Sequence, residues 1–266
     1  MLCRALIALL FAATLSPTAR SQTTVLYDGS SNVTPSDPSW GWIYAGIGTV
    51  TPPGGSGYTQ LTTMTSDAFQ AGFSKTAPAN LYASLGWRVR FDLQLTAEDH
   101  SNSAGDKNAD GLSDRSGVSL IALGADHLGV ELGFWNNEIW TQQQSPIFIH
   151  DTVNERAFLN TTASGSGSAG LIRYDLVVNG PSYYLYVNGS SLPSLTGQLK
   201  NYTAGPVIYN QPNFLFIGDD TTSARGAFSL SRVELTAVPE SSTVAFIIAS
   251  GIALIVSFRR RRAVFK

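Results

Sequence analysis

Cysteine, histidine and charge are all scarce in this chain: one cysteine, three histidines and 14% charged residues among 266. The single cysteine, Cys3, precedes an apolar run at the N-terminus, whereas a lipid-anchored cysteine would follow it. Beyond it there is no thiol, which excludes disulfides, cysteine-ligated metals and cysteine nucleophiles. His100, His127 and His150 stand apart, with no second histidine at metal-ligand spacing, and no Gly-x-Ser-x-Gly nucleophile motif occurs. Between Gln22 and Ala237 there are 18 Asp and Glu against 10 Lys and Arg, a net charge of −8. An acidic stretch of this kind argues against nucleic acid as a partner. Before the C-terminal segment, no stretch reads as a helix of three turns.

The other seven of the 17 basic residues all lie at the two ends. Arg4 precedes an apolar run from Ala5 to Leu15, and Ala19-Arg20-Ser21 places small residues where a signal peptidase reads, so residues 1–21 are expected to be a signal peptide cleaved before Gln22. At the other end, Val238-Pro239-Glu240-Ser241-Ser242 leads into an apolar run from Val244 to Phe258, followed by Arg259, Arg260, Arg261 and Arg262. As a helix that run would rise about 22 Å, a short transmembrane span, and the four arginines would hold its end in the cytoplasm. The order of turn, apolar helix and arginine cluster resembles the PEP-CTERM sorting signal of Gram-negative bacteria. The family's usual tetrad is Val-Pro-Glu-Pro, and Ser241 stands here in place of the second proline. The resemblance implies an exosortase-like processing enzyme acting at Val238, Pro239, Glu240 and Ser241. It also implies a first residence in the bacterial inner membrane with the domain facing the periplasm, then the cell surface or extracellular space.

Residues 22–237 remain as the working domain, long enough for a core without covalent staples. Residues 88–95 alternate so that Val89, Phe91, Leu93 and Leu95 share one face, and comparable strands are expected at 117–123, 128–135, 138–142, 172–178, 183–187, 213–217 and 227–235. Asn136-Asn137 and Asn188-Gly189 read as tight turns. Many short strands predict an all-β antiparallel two-sheet sandwich of jelly-roll type. Val25-Leu26-Tyr27-Asp28-Gly29, Val130-Glu131-Leu132-Gly133-Phe134-Trp135 and Ile217-Gly218-Asp219-Asp220-Thr221-Thr222 resemble an exported bacterial choice-of-anchor domain. Tyr184-Leu185-Tyr186-Val187-Asn188-Gly189, then Gly197 and Phe216-Ile217-Gly218-Asp219, are similar to laminin-G-like and concanavalin-like sandwiches. That resemblance implies a fold and an extracytoplasmic life, and no reaction. The run 161–170, rich in Gly and Ser, reads as a flexible loop.

Chemistry is concentrated in a few places. Asp106, Asn108, Asp110 and Asp114 occupy positions 1, 3, 5 and 9 of a loop with Gly111 at position 6, so three side chains and the Leu112 carbonyl can converge on Ca²⁺. Position 12 is Gly117 rather than a bidentate glutamate, so Asp99, Glu98 or water would complete the shell. Asp219-Asp220-Thr221-Thr222 is a second group of oxygens, read as an acidic turn capped by hydroxyls. Glu131 and Glu138 are the obvious acids for a glycosidase. With Asn136-Asn137 as the turn, they are expected to be far apart along the ladder and on opposite faces. Trp40, Trp42, Trp135, Trp140, Tyr183, Tyr184 and Tyr186 include neighbours on both faces of strands, so some are expected outside the core, where rings stack on sugars. The reading is an exported, non-catalytic surface or matrix protein with a structural Ca²⁺ that binds polysaccharide; a ligand-free structural envelope protein and an extracellular glycan hydrolase are its rivals.

Overall fold

The computed structural model describes residues 22–143, 148–157, 170–206 and 209–237. Sixteen strands follow in order: β1 Gln22–Asp28, β2 Ile43–Gly46, β3 Thr49–Thr51, β4 Thr59–Thr62, β5 Ala71–Thr76, β6 Trp87–Asp99, β7 Ser119–Leu123, β8 Leu128–Trp135, β9 Glu138–Gln142, β10 His150–Ala157, β11 Ile172–Asn179, β12 Ser182–Val187, β13 Leu195–Gln198, β14 Lys200–Asn201, β15 Phe214–Asp219 and β16 Arg225–Ala237. Two antiparallel sheets result. The first runs β13-β12-β11-β6-β16-β4-β3, with β1 also on β16; the second runs β10-β9-β8-β7-β15-β5-β2, with β14 also on β8. The expected two-sheet sandwich is therefore present. Among the described residues no helix is long and apolar enough to cross a membrane. The signal-peptide, sorting-signal and transmembrane expectations, and nearly all of the Gly/Ser run, lie outside the described residues.

The inner faces meet as the alternation predicts. Val89, Phe91, Leu93 and Leu95 of β6 are fully buried against Val130, Leu132 and Phe134 of β8 and their neighbours. At the centre Phe91 stacks on Tyr174 with ring centroids 5.0 Å apart, and Phe134 meets both edge-on. In β16 the buried positions change phase, from Phe228 and Leu230 to Val233 and Leu235. The register slips between Leu230 and Arg232, so a bulge at Ser231 restores the inward face.

Both expected asparagine turns form, and only the second fails to close a tight hairpin. Asn136-Asn137 does close a two-residue hairpin between Trp135 and Glu138, but neither asparagine takes a positive φ. Asn188 and Gly189 both do, at 51° and 72°, yet β12 pairs with β13 only after a longer excursion, with Leu185 opposite Leu195. The short hairpin is at Gly180-Pro181 instead, where Asn179 faces Ser182.

The outer face of the second sheet is not left to solvent. Ile121 and Leu123 of β7 with Phe214 and Phe216 of β15 form a second apolar cluster, joined by Phe148, Tyr202 and Tyr209 from connecting segments. Residues that face each other across the ladders set its architecture: Ala45, Gly72, Gly218, Ser119, Gly133 and Trp140 form one transverse row across the sheet. A row with almost no side chains lets aromatic rings lie flat on the backbone. A Cβ on Gly72 would stand 2.4 Å from the Phe216 ring, and one on Gly133 would stand 2.5 Å from Trp140. Only glycine fits beneath either ring.

Candidate functional site

Above this row sits a polar cavity of about 180 Å³, lined by Arg115, Ser119, Glu131, Gln142, Tyr209 and Asp220 among others. A second depression of about 340 Å³ lies on the other side of Tyr209 and Asp220, bordered by Gly72, Gln70 and Phe216. Glu131 and Gln142 are carried by the outward positions of β8 and β9, in phase with Trp135 and Trp140. Asp220 follows the end of β15, and Tyr209 arrives from the loop before it.

Glu131 and Glu138 share this outer face, which overturns the expectation that they point oppositely. Facing residues of an antiparallel pair project to the same side, so Glu138 follows Trp135, and the four-residue step from Trp135 to Glu131 preserves the side. Four residues of strand still separate them by about 13 Å. Glu131 has a different partner. The Tyr209 hydroxyl donates to Asp220 Oδ2 at 2.5 Å and also engages the Glu131 carboxyl. Burial, then the charge of Asp220, pushes Glu131 well above the ordinary carboxylate range. Burial raises Asp220 as well, while Arg115 opposes the shift from nearby. Glu131, only 1% exposed, is the carboxyl held protonated. With Asp220 balanced by Arg115, the cavity is close to neutral.

Two polar atoms in this cavity, Glu131 Oε2 and Gln142 Oε1, are buried without a hydrogen-bond partner among the described residues. Gln142 is oriented by its other end, since Nε2 donates to the Asp114 carbonyl at 3.2 Å. Arg115 is fixed through Nη1, which donates to the carbonyls of Asp114 and Phe148.

The predicted calcium loop lies elsewhere, on the surface. Asp106 accepts from the amides of Asp110 (3.2 Å) and Gly111 (2.9 Å), and Asp110 accepts from Asn108 Nδ2 and the Leu112 amide, both at 2.8 Å. Asp106, Asn108 and Asp110 are thus brought together, with Ala109 and Gly111 turning the chain at positive φ. Asp114 is buried and points inward: its oxygens take the amides of Lys107 and His150, each at 2.6 Å. The donors available to a cation fit in part, with two carboxylates, one amide oxygen and the Leu112 carbonyl. Glu98 and Asp99 are committed to other partners, His100 at 2.9 Å and Arg225 at 2.7 Å. Asp219 is no exposed acidic turn; it is buried against Thr63 and the Thr221 amide.

The aromatic expectations divide. Trp42 and Tyr183 are core, whereas Trp135 and Trp140 occupy the outer face of the second sheet, where Trp135 stacks on His100 with centroids 4.1 Å apart. Sequence reasoning missed Arg115, Gln142 and Tyr209, none of which belongs to a motif, and missed Asp220 as the partner of Glu131.

No protein-family model matches the chain, and no curated protein matches it in sequence. Among solved structures, a carbohydrate esterase of the Shiga toxin-encoding bacteriophage phi24B is similar in fold. The TM-score is 0.51 at 12% identity, covering 81% of this chain and 99% of that one. A protein of unknown function with a galectin-like fold from Bacillus subtilis gives 0.49 at 12% identity, over 82% and 99% of the respective chains. The exoplasmic domain of VIP36 in its Ca²⁺- and mannose-oligosaccharide-bound form gives 0.44 at 10% identity, over 77% and 87%. At such identities the likeness is one of fold alone.

Proposed function

We propose that this chain is an exported glycan-binding β-sandwich that holds a neutral polysaccharide across the outer face of its second sheet, at the cavity of Glu131, Gln142, Tyr209 and Asp220. The observation that carries the reading is the pair of buried oxygens without a hydrogen-bond partner on Glu131 and Gln142, set beside a glycine-floored sheet. A buried polar atom without a partner costs about 1–3 kcal/mol, and sugar hydroxyls can supply both partners, accepting from the protonated Glu131 and donating to Gln142 Oε1, while the sugar's apolar face meets Tyr209 and Phe216 in the neighbouring depression. The near balance of charge favours neutral sugars over uronates. An array of neutral and acidic polysaccharides tests this. Saturable, sugar-competed binding to neutral chains, weakened at least tenfold by Glu131→Ala, is expected; binding that is absent, or indifferent to that change, would sink the reading.

A second reading is glycan hydrolysis, favoured by one specific observation: a protonated, buried Glu131 beside a second carboxyl, Asp220, as a general acid and its partner would stand. Release of reducing ends that Glu131→Gln abolishes would establish it. In both readings the ends of the chain deliver the domain, through a signal peptide, a PEP-CTERM-like segment ending in Arg259 to Arg262, and exosortase-like processing. Fractionation of cells carrying Arg259 to Arg262 replaced by Ser tests that part, with mislocalisation expected.

A further inference from the structure

A second group of side chains on the same face lies outside the cavity. Glu138 starts β9, and His150 and Glu155 belong to β10, the edge strand. In a regular strand residues five apart point to opposite faces. Here the register runs from His150 opposite Gln142 to Glu155 opposite Trp140, so three extra residues of β10 are looped out between them. That bulge turns His150 and Glu155 to the same side, toward Glu138. Asp151 holds the looped residues by accepting from the Val153 amide and from Asn154 Nδ2.

We propose that Glu138, His150 and Glu155 form a binding site for a divalent transition-metal ion of the zinc class, with a coordination position left open toward solvent. His150 Nε2 lies 3.2 Å from Glu138 Oε1 and 3.0 Å from Glu155 Oε2, and the three ligand atoms all fall within 4.8 Å of one another. Tetrahedral ligands at zinc bond lengths of 2.0–2.1 Å stand about 3.3 Å apart, close to the two histidine separations. One imidazole with two carboxylates suits zinc and its neighbours better than calcium or magnesium.

Two further observations support the site. The His150 side chain is only 3% exposed, clamped between Trp135 and Trp140 at centroid distances of 4.9 and 4.6 Å, and neither ring nitrogen has an aligned hydrogen-bond partner among the described residues. A metal would give Nε2 an aligned partner in place of its poorly aligned contacts with the two carboxylates. A dication would relieve the mutual repulsion of the two carboxylates gathered there. The backbone of His150 is anchored by Asp114, which fixes the ring over the two carboxylates. Glu155, at 39% side-chain exposure, leaves the fourth position accessible.

The test is titration of the purified, chelator-stripped chain with ZnCl₂ in calcium-free buffer, repeated with CoCl₂ for its visible spectrum. Uptake of one equivalent is expected, with the cobalt bands of a four- or five-coordinate N/O site. Glu155→Gln should weaken binding at least tenfold, while Asp37→Ala, a surface acid whose side chain bonds only Ser39, should leave it unchanged. His150→Gln should abolish it. If that variant does not fold, Glu155→Gln decides, because its exposed side chain is not part of the packing. Absence of stoichiometric uptake, or uptake that survives Glu155→Gln, overturns the site. Neither result touches the glycan reading, which is scored on polysaccharide without metal.

Discussion

The Thr63 hydroxyl and the Asp219 carboxyl, 156 residues apart, share a buried hydrogen bond that ties the end of β4 in the first sheet to the end of β15 in the second. Thr63 is saturated around it: its hydroxyl reaches the Gly226 carbonyl at 3.2 Å and receives the Gly226 amide at 3.0 Å. Thr63 donates in that bond, which on its own would hold the carboxyl down, but burial outweighs it and pushes Asp219 up to about 8.

A carboxyl whose folded pKa is raised binds its proton more tightly folded than unfolded. Between the unfolded value near 4 and the folded value near 8, the native state carries one proton more, so stability falls as pH rises through that window. Below it the penalty is absent, and above it the loss is complete. Asp219→Asn, which mimics the protonated acid, is expected to flatten the part of the melting-temperature profile between pH 5 and pH 8 that this group contributes. Parallel slopes for the two proteins across that range would refute a protonated Asp219.

Gly133 is expected to tolerate no side chain. It faces Trp140 across the β8–β9 ladder, and an added methyl would stand 2.5 to 2.6 Å from the indole ring, which has nowhere to move because it is fully buried. Gly133→Ala should destabilise the domain by about 1–3 kcal/mol, the usual cost of overpacking, readable from urea unfolding. An unchanged midpoint would show that the ring is not held against the sheet.

Legibility in the sequence follows the physics of each feature. β8 and β9 match their expected limits, and β6 starts one residue before its expected limit and runs four residues past its expected end, because alternation over a buried face is a local signal. β2 and β3 were not legible; they are short, largely exposed and rich in Gly and Thr. β10 is polar along most of its length, so no periodicity marks it. At the site, Glu131 was visible as a residue but not as a pair, since Asp220 and Tyr209 reach it only through sheet topology. The shared face of Glu131 and Glu138 was available from parity alone once the Asn136-Asn137 turn was placed. The bulge that gathers His150 and Glu155 was not, because a register shift leaves no trace in composition.

The acidic loop gives a calcium test. If Asp106, Asn108, Asp110 and the Leu112 carbonyl hold Ca²⁺, chelation should lower the melting temperature by several degrees, as any ligand bound only by the native state requires. Asp110→Ala should remove the response to calcium. A melting curve indifferent to chelator would leave the loop as a hydrogen-bonded turn, closed by the Asp106 contacts to the Asp110 and Gly111 amides.

Glu131 predicts a pH dependence of binding whose direction distinguishes donor from acceptor. Its carboxyl is held well above the ordinary range by burial and by Asp220, so at neutral pH it is protonated and can donate to a sugar oxygen. Affinity for a neutral glycan should then be level from acid to neutral pH and fall as pH rises through the folded pKa, when ionisation removes the donor and sets a second negative charge beside Asp220. Glu131→Gln keeps a donor that cannot ionise, so it should bind with nearly wild-type affinity at neutral pH and lose the alkaline decline. Calorimetric titrations of both proteins across that range check it. If the glutamine variant binds as poorly as Glu131→Ala at neutral pH, the carboxyl is acting as an acceptor and its buried proton has been misassigned.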